Sequence, residues 1–189
     1  MFRTMQELGL PQEKVKIRGN PKTEIAEKII DEVVPDGDPH PEKVIIGIAG
    51  KAASLKSFLA RGLGMTHGIP VIQIGKELKR MGVELGVYGE KLYQKEHQNP
   101  FVVGELLHPM VRRYDKEKVV IIDGIKTPET ALFLSFTTKR PMFIVFVEID
   151  EELRHKAISL RTDPDDVYAE QRDQLFNQGL QRLKEKAWC

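Results

Sequence analysis

Apolar residues along this chain fall into two kinds of run. Continuous runs of strand length occupy residues 44–48, 70–74, 119–122 and 142–149. They do not alternate with polar residues, which is the pattern of strands covered on both faces. Between them, three-four spacing of apolar positions predicts helices over 56–65, 75–81, 101–114 and 128–136. Strands alternating with helices predict a parallel sheet with right-handed crossovers. The expected fold is therefore a three-layer α/β domain with a sheet of about four strands. Thr127-Pro128-Glu129 reads as a helix start, with a hydroxyl cap, a proline at the first position and an acid in the first turn. Asp163-Pro164-Asp165-Asp166 repeats that logic and predicts a last long helix running to Lys186.

Residues 1–43 form a polar preamble to the domain at 44–189. Apolar positions Ile25, Ala26, Ile29, Ile30, Val33 and Val34 follow the spacing of an amphipathic helix, and Pro21 suits its first turn. The stretch PDGDPHPEK then interrupts any regular element with three prolines and a glycine. Such a helix would pack on the core or engage a partner protein.

Composition narrows the classes. A length of 189 residues suffices for one buried core, and 41% hydrophobic with 30% charged residues is ordinary for a globular domain. Lysine and arginine number 29 against 28 acids, so the net charge of +1 creates no global field for nucleic acid or anionic lipid. The single cysteine, Cys189, permits neither a disulfide framework nor a cysteine metal site. His40, His67, His97, His108 and His155 show no ligand spacing. No apolar run approaches the roughly 20 residues that span a bilayer. The opening MFRTMQELGLPQEK turns polar too early for a signal peptide, so the expected location is the cytoplasm.

The chemistry concentrates in residues 44–57, VIIGIAGKAASLKS. A strand-length apolar run enters a small-residue loop and leaves through Lys56-Ser57 into a helical pattern. That arrangement matches the phosphate-binding loop G-x-x-x-x-G-K-[ST] at Gly50, Lys56 and Ser57, with Leu55 in place of the second glycine. A loop between a strand and a helix points backbone N–H groups inward, and the helix start adds its positive dipole end. Lys51, Ala52, Ala53, Ser54 and Leu55 would supply that cradle; the plainer reading is a simple strand-to-helix connection. Residues 119–124, VVIIDG, end an apolar strand in Asp123, which either holds Mg²⁺ or caps a turn. Arg154 and Arg161, seven apart, would share one helix face and clamp a phosphoryl group, or lie on a solvated basic face.

The ordered set GIAGKAASLKS, GIPVIQIGKELKR, VVIIDGIKTPE and R-x6-R-TDPDD followed by QRD resembles the nucleoside-monophosphate-kinase group of P-loop proteins. Adenylate kinases and the archaeal dephospho-CoA-kinase-like nucleotide kinases are the members most alike. The resemblance covers roughly residues 44–186 and implies a P-loop NTPase-like fold with ATP-dependent phosphoryl transfer to a nucleoside monophosphate or similar acceptor. It implies that Lys56 and the loop hold ATP, that Ser57 and Asp123 hold Mg²⁺, and that Arg154 and Arg161 close over the phosphates. It places the acceptor near Gly75, with Arg80, Arg112 and Arg113 as contacts. The chain departs from the group at Leu55, Lys76, Lys79 and Lys126. The alternative expectation is a catalytically inactive module that binds a nucleotide or a partner on the same scaffold.

Overall fold

The computed structural model describes residues 43–85, 90–160 and 169–187. The predicted helix within 1–43 and the predicted cap at Asp163 lie outside these residues. In chain order the elements are β1 (Val44–Ala49), α1 (Lys56–His67), β2 (Val71–Gln73), α2 (Ile74–Leu85), α3 (Glu90–Gln98), α4 (Pro100–Arg112), β3 (Val119–Ile125), α5 (Pro128–Thr138), β4 (Met142–Phe146), α6 (Glu151–Ser159), α7 (Ala169–Leu175) and α8 (Asn177–Lys186). No helix among the described residues is long and apolar enough to cross a membrane.

The four strands form one sheet in the order β2-β3-β1-β4, and every neighbouring pair is parallel. Val44 sits opposite Val119, and Ile45 opposite Met142, so β1 is hydrogen-bonded along both edges. Its residues are all buried, which explains the unbroken apolar run. Even-numbered residues Val44, Ile46 and Ile48 pack with Ala60 and Leu63 of α1 on one face. Ile45 and Ala49 pack on the other face with Leu78 of α2, Val103 and Leu107 of α4, Leu134 of α5 and Leu183 of α8. The period of two thus divides one strand between two cores, and the three layers follow.

The crossover directions locate the functional end. The connection from β1 leads outward to β2, whereas that from β3 leads the opposite way to β4. Right-handed crossovers running in opposite directions put their helices on opposite faces, as α1 and α5 are. The crevice at the carboxyl ends of β1 and β3, between the diverging connections, is where open α/β sheets bind ligands.

Several element boundaries differ from expectation. β3 runs on to Ile125, with the register against β1 slipping after Ile48. β4 stops at Phe146, three residues short, and Asp150 caps α6 by accepting the N–H groups of Glu152 and Leu153. Helix α3 was not predicted, because EKLYQKEHQ is too polar to show an apolar stripe. The predicted final helix is, within the described residues, two helices that meet at Phe176. Phe176 is 2% exposed, so burying its ring fixes the joint. The predicted α5 start holds: Thr127 Oγ1 accepts the Thr130 N–H, with Pro128 in the first turn.

The end of the domain opposite the crevice is tied by a buried charge. Arg140 donates from Nη2 to the Tyr114 carbonyl at 2.9 Å and from Nη1 to the Glu117 carbonyl at 3.3 Å, and it faces Asp115. The planar guanidinium reaches both carbonyls of the turn after α4 from the turn after α5. Replacing Arg140 by alanine strands two carbonyls and opens a cavity, so Arg140→Ala is expected to cost about 3 kcal/mol in urea unfolding. Arg140→Lys should recover only part of that loss, since one ammonium cannot serve both acceptors in the same geometry.

Candidate functional site

The loop between β1 and α1 is built around backbone that most residues avoid. Gly50 has φ 140°, and a Cβ there would stand 2.4 Å from the Val147 carbonyl oxygen. Only glycine fits where the loop leaves the strand beside the end of β4. Ala53 and Leu55 both adopt left-handed backbone, with φ of 61° and 68°. Leu55 occupies the position where the motif carries its second glycine, and its backbone adopts the conformation for which glycine is suited. Leu55 therefore carries about 1–2 kcal/mol of backbone strain. Leu55 opens α1 without a side-chain cap, so the positive end of the helix is presented at the loop.

A cavity of about 450 Å³ lies against this loop at the crevice. Gly50, Ala52, Ala53, Ser54, Leu55, Lys56 and Ser57 line one side, so every predicted loop residue except Lys51 borders it. Gln73 and Asp123, neighbours in register on β2 and β3, form part of the floor. Six cationic side chains surround the space: Lys56, Arg61, Lys76, Lys79, Lys126 and Arg172, against the carboxylates of Asp123 and Asp173. That excess suits a ligand carrying several negative charges. Lys56 Nζ donates to the Lys51 carbonyl at 2.6 Å, arching over the loop it belongs to.

Asp123 is 4% exposed, and its Oδ2 accepts from Gln73 Nε2 at 3.1 Å. Its Oδ1 is buried with no hydrogen-bond partner among the described residues, as is Ser54 Oγ. An unpartnered buried carboxylate oxygen suits a hard cation, and Asp123 and Ser57 both line the cavity. No group of three or more His, Cys, Asp or Glu side chains among the described residues is arranged to hold a metal ion. The donors present therefore fit Mg²⁺ only in its phosphate-sharing mode, with one carboxylate, one hydroxyl and the remainder from ligand and water.

Of the two arginines, the structure describes Arg154. Helix α6 ends at Ser159, and Arg161 lies outside the described residues. Arg154 is 7% exposed and does not border the cavity. It is held by Glu151 and by Asp173, whose Oδ2 accepts from Nη1 at 3.1 Å. Asp173 in turn accepts the Ala52 N–H at 2.9 Å, and Lys51 pairs with Glu151. Two loop residues are thus tied to α6 and α7 by one chain of charges. The contacts from Lys51 and then Arg154 hold the Glu151 carboxyl down at about 2, from an ordinary 4.5. Arg80 pairs with Glu77, Arg112 with Asp115, and neither they nor Arg113 line the cavity.

Sequence reasoning did not select Arg61, Gln73, Lys76, Lys79, Lys126, Arg172 or Asp173 as site residues. Lys126 pairs with buried Glu96 of α3 and stands 4.5 Å from the Phe176 ring centroid. Burial lowers its pKa, with Glu96 opposing the shift. Glu96 could not be found from a pattern, because it sits in the helix that shows none. The Gln171-Arg172-Asp173 triplet was visible as a motif, but only the fold shows that it returns to the first loop.

No protein-family model matches the chain, and no curated protein matches it. Solved structures similar to it include shikimate kinase from Bacteroides thetaiotaomicron, at 16% identity over 76% of this chain and 82% of that one, with a TM-score of 0.45. Shikimate kinase from Acinetobacter baumannii in complex with shikimate matches at 14% identity, over 75% and 80% of the two chains, with a TM-score of 0.45. A sugar kinase from a Janibacter species matches at 13% identity, over 75% and 95%, with a TM-score of 0.47. What this cavity takes is read from its own residues.

Two outcomes check the site's geometry. Leu55→Gly removes the left-handed strain but frees the unfolded chain, so its unfolding free energy should stay within about 1 kcal/mol of native. Leu55→Val, β-branched at the same backbone, should lose about 1–3 kcal/mol in the same denaturant titration. For Glu151 the folded carboxyl titrates below the unfolded one, so its stabilisation is complete above pH 4.5 and fades as pH falls toward 2. Glu151→Gln should therefore flatten stability against pH across that window. At pH 7 the variant should lack the stability that the native protein gains across that window, an amount kept small because the side chain is half exposed.

Proposed function

We propose that the cavity binds the polyphosphate of a nucleoside triphosphate and that the protein is a P-loop nucleotide kinase. The observation that carries this reading is the glycine-like backbone of the loop at Leu55, set beside a cavity with six cations. Loop amides and Lys56 would hold the phosphates, while Ser57 and Asp123 would hold Mg²⁺, whose charge offsets that of the phosphates. Lys76 and Lys79 of α2, with Lys126, also line the cavity and would face an anionic, nucleotide-like acceptor. Transfer would form a bond from an acceptor oxygen to the terminal phosphorus as the bond to the nucleoside diphosphate breaks. The protein's share is positioning and charge neutralisation, with no covalent intermediate.

The second reading, a nucleotide-binding module without transfer, draws on the strained Leu55 and on the Ala52 amide already engaged by Asp173. Calorimetry with Mg-ATP addresses the first step. Native protein should bind, and Lys56→Ala should weaken binding at least tenfold while leaving the melting temperature near native. Absence of binding by the native protein would sink the nucleotide reading. Binding without phosphoryl transfer to any nucleoside monophosphate would instead identify the module.

A further inference from the structure

The carboxylate of Asp173 already holds one of the loop's amides. Both oxygens accept the Ala52 N–H, Oδ1 at 2.9 Å and Oδ2 at 3.1 Å. Ala52 is 5% exposed and the Asp173 side chain 13%, so the contact is sheltered from water. A charged acceptor on a sheltered N–H forms a bond roughly twice as strong as a neutral one. The acceptor comes from α7, more than a hundred residues along the chain, and it borders the cavity beside Arg172. Its grip is reinforced from behind, because Arg154 of α6 binds Oδ2 at 3.1 Å and is itself held by Glu151.

We propose that Asp173 is an internal competitor for the anion site: its carboxylate occupies the Ala52 amide, and a polyphosphate enters by displacing it. This rests on reading the cavity as a polyphosphate site. The surroundings make the exchange feasible. Arg154 stays beside Asp173 when the loop contact breaks, so no buried charge is left alone. A polyphosphate brings several charges to Lys56, Lys76 and Lys79, where the carboxylate brings one and reaches a single amide. Binding is then taxed by the fraction of molecules in which the amide is occupied, and the tax belongs to the protein. Reciprocally, a bound polyphosphate loosens α7 from the loop by the same free energy.

The test uses the full chain with inorganic tripolyphosphate and Mg-ATP as probes. Asp173→Asn keeps the shape and removes the charge, and Asp173→Ala removes the contact. Both variants are expected to bind each probe about tenfold more tightly than native, with the Ala52 amide exchanging faster in the free variants. Unchanged or weaker binding by both variants, with native binding intact, overturns the competitor and leaves the polyphosphate reading standing. Failure of native and variants alike to bind either probe overturns the polyphosphate reading, and the competitor with it. A measurement on native protein covers the case in which the variants do not fold. In a tripolyphosphate titration the Ala52 amide and Asp173 carboxyl carbon resonances should move together. Saturation that moves the amide while the carboxyl carbon stays fixed counts against displacement.

Discussion

Everything in this fold hangs on the burial of β1. It is paired along both edges and covered on both faces, so its backbone groups have no recourse to water and must be satisfied by β3 and β4. A strand so enclosed cannot shift register without moving two cores at once. The loop that leaves it inherits that rigidity. Gly50 is fixed by the strand before it and by the Val147 carbonyl beside it, and the unusual backbone of Ala53 and Leu55 follows within a few residues. Strain of this kind persists only where the surroundings over-determine it. The sheet provides that here.

Charge is distributed in two tiers around the loop. Toward the cavity stand cations, with Asp123 carrying an unsatisfied oxygen among them. From the loop runs the chain Lys51–Glu151–Arg154–Asp173, in which each member is neutralised by a neighbour and the last borders the cavity. The first tier suits a ligand. The second positions the loop against α6 and α7, and Arg154 belongs to it. An arginine that reads as a phosphate clamp in the sequence is, in the structure, bound to two carboxylates.

Legibility tracked the range of the interactions. The strands were readable because burial on both faces writes a continuous apolar run, and the loop because Gly50, Lys56 and Ser57 lie within eight residues. Thr127 was readable as a cap because capping is local. The cavity's remaining walls were not. Lys76, Lys79 and Lys126 look like departures from a motif until the fold gathers them around one space. Glu96 and Asp173 acquire meaning only from partners 30 and 121 residues away. The contact of Arg154 with Asp173 joins residues 19 apart on two helices, which spacing along one helix does not reveal.

The six cations have a kinetic side. A chain whose overall charge is only +1 gathers them around one cavity, so the long-range field that a polyanion would meet is local. Encounter would be steered toward the crevice, with added salt shortening the reach of that steering to about 8 Å at physiological ionic strength. Contacts with the loop amides would be made after the approach is over and would feel the salt far less. Such a site would separate how fast a ligand arrives from how long it stays, the first set by cationic side chains and the second by loop backbone.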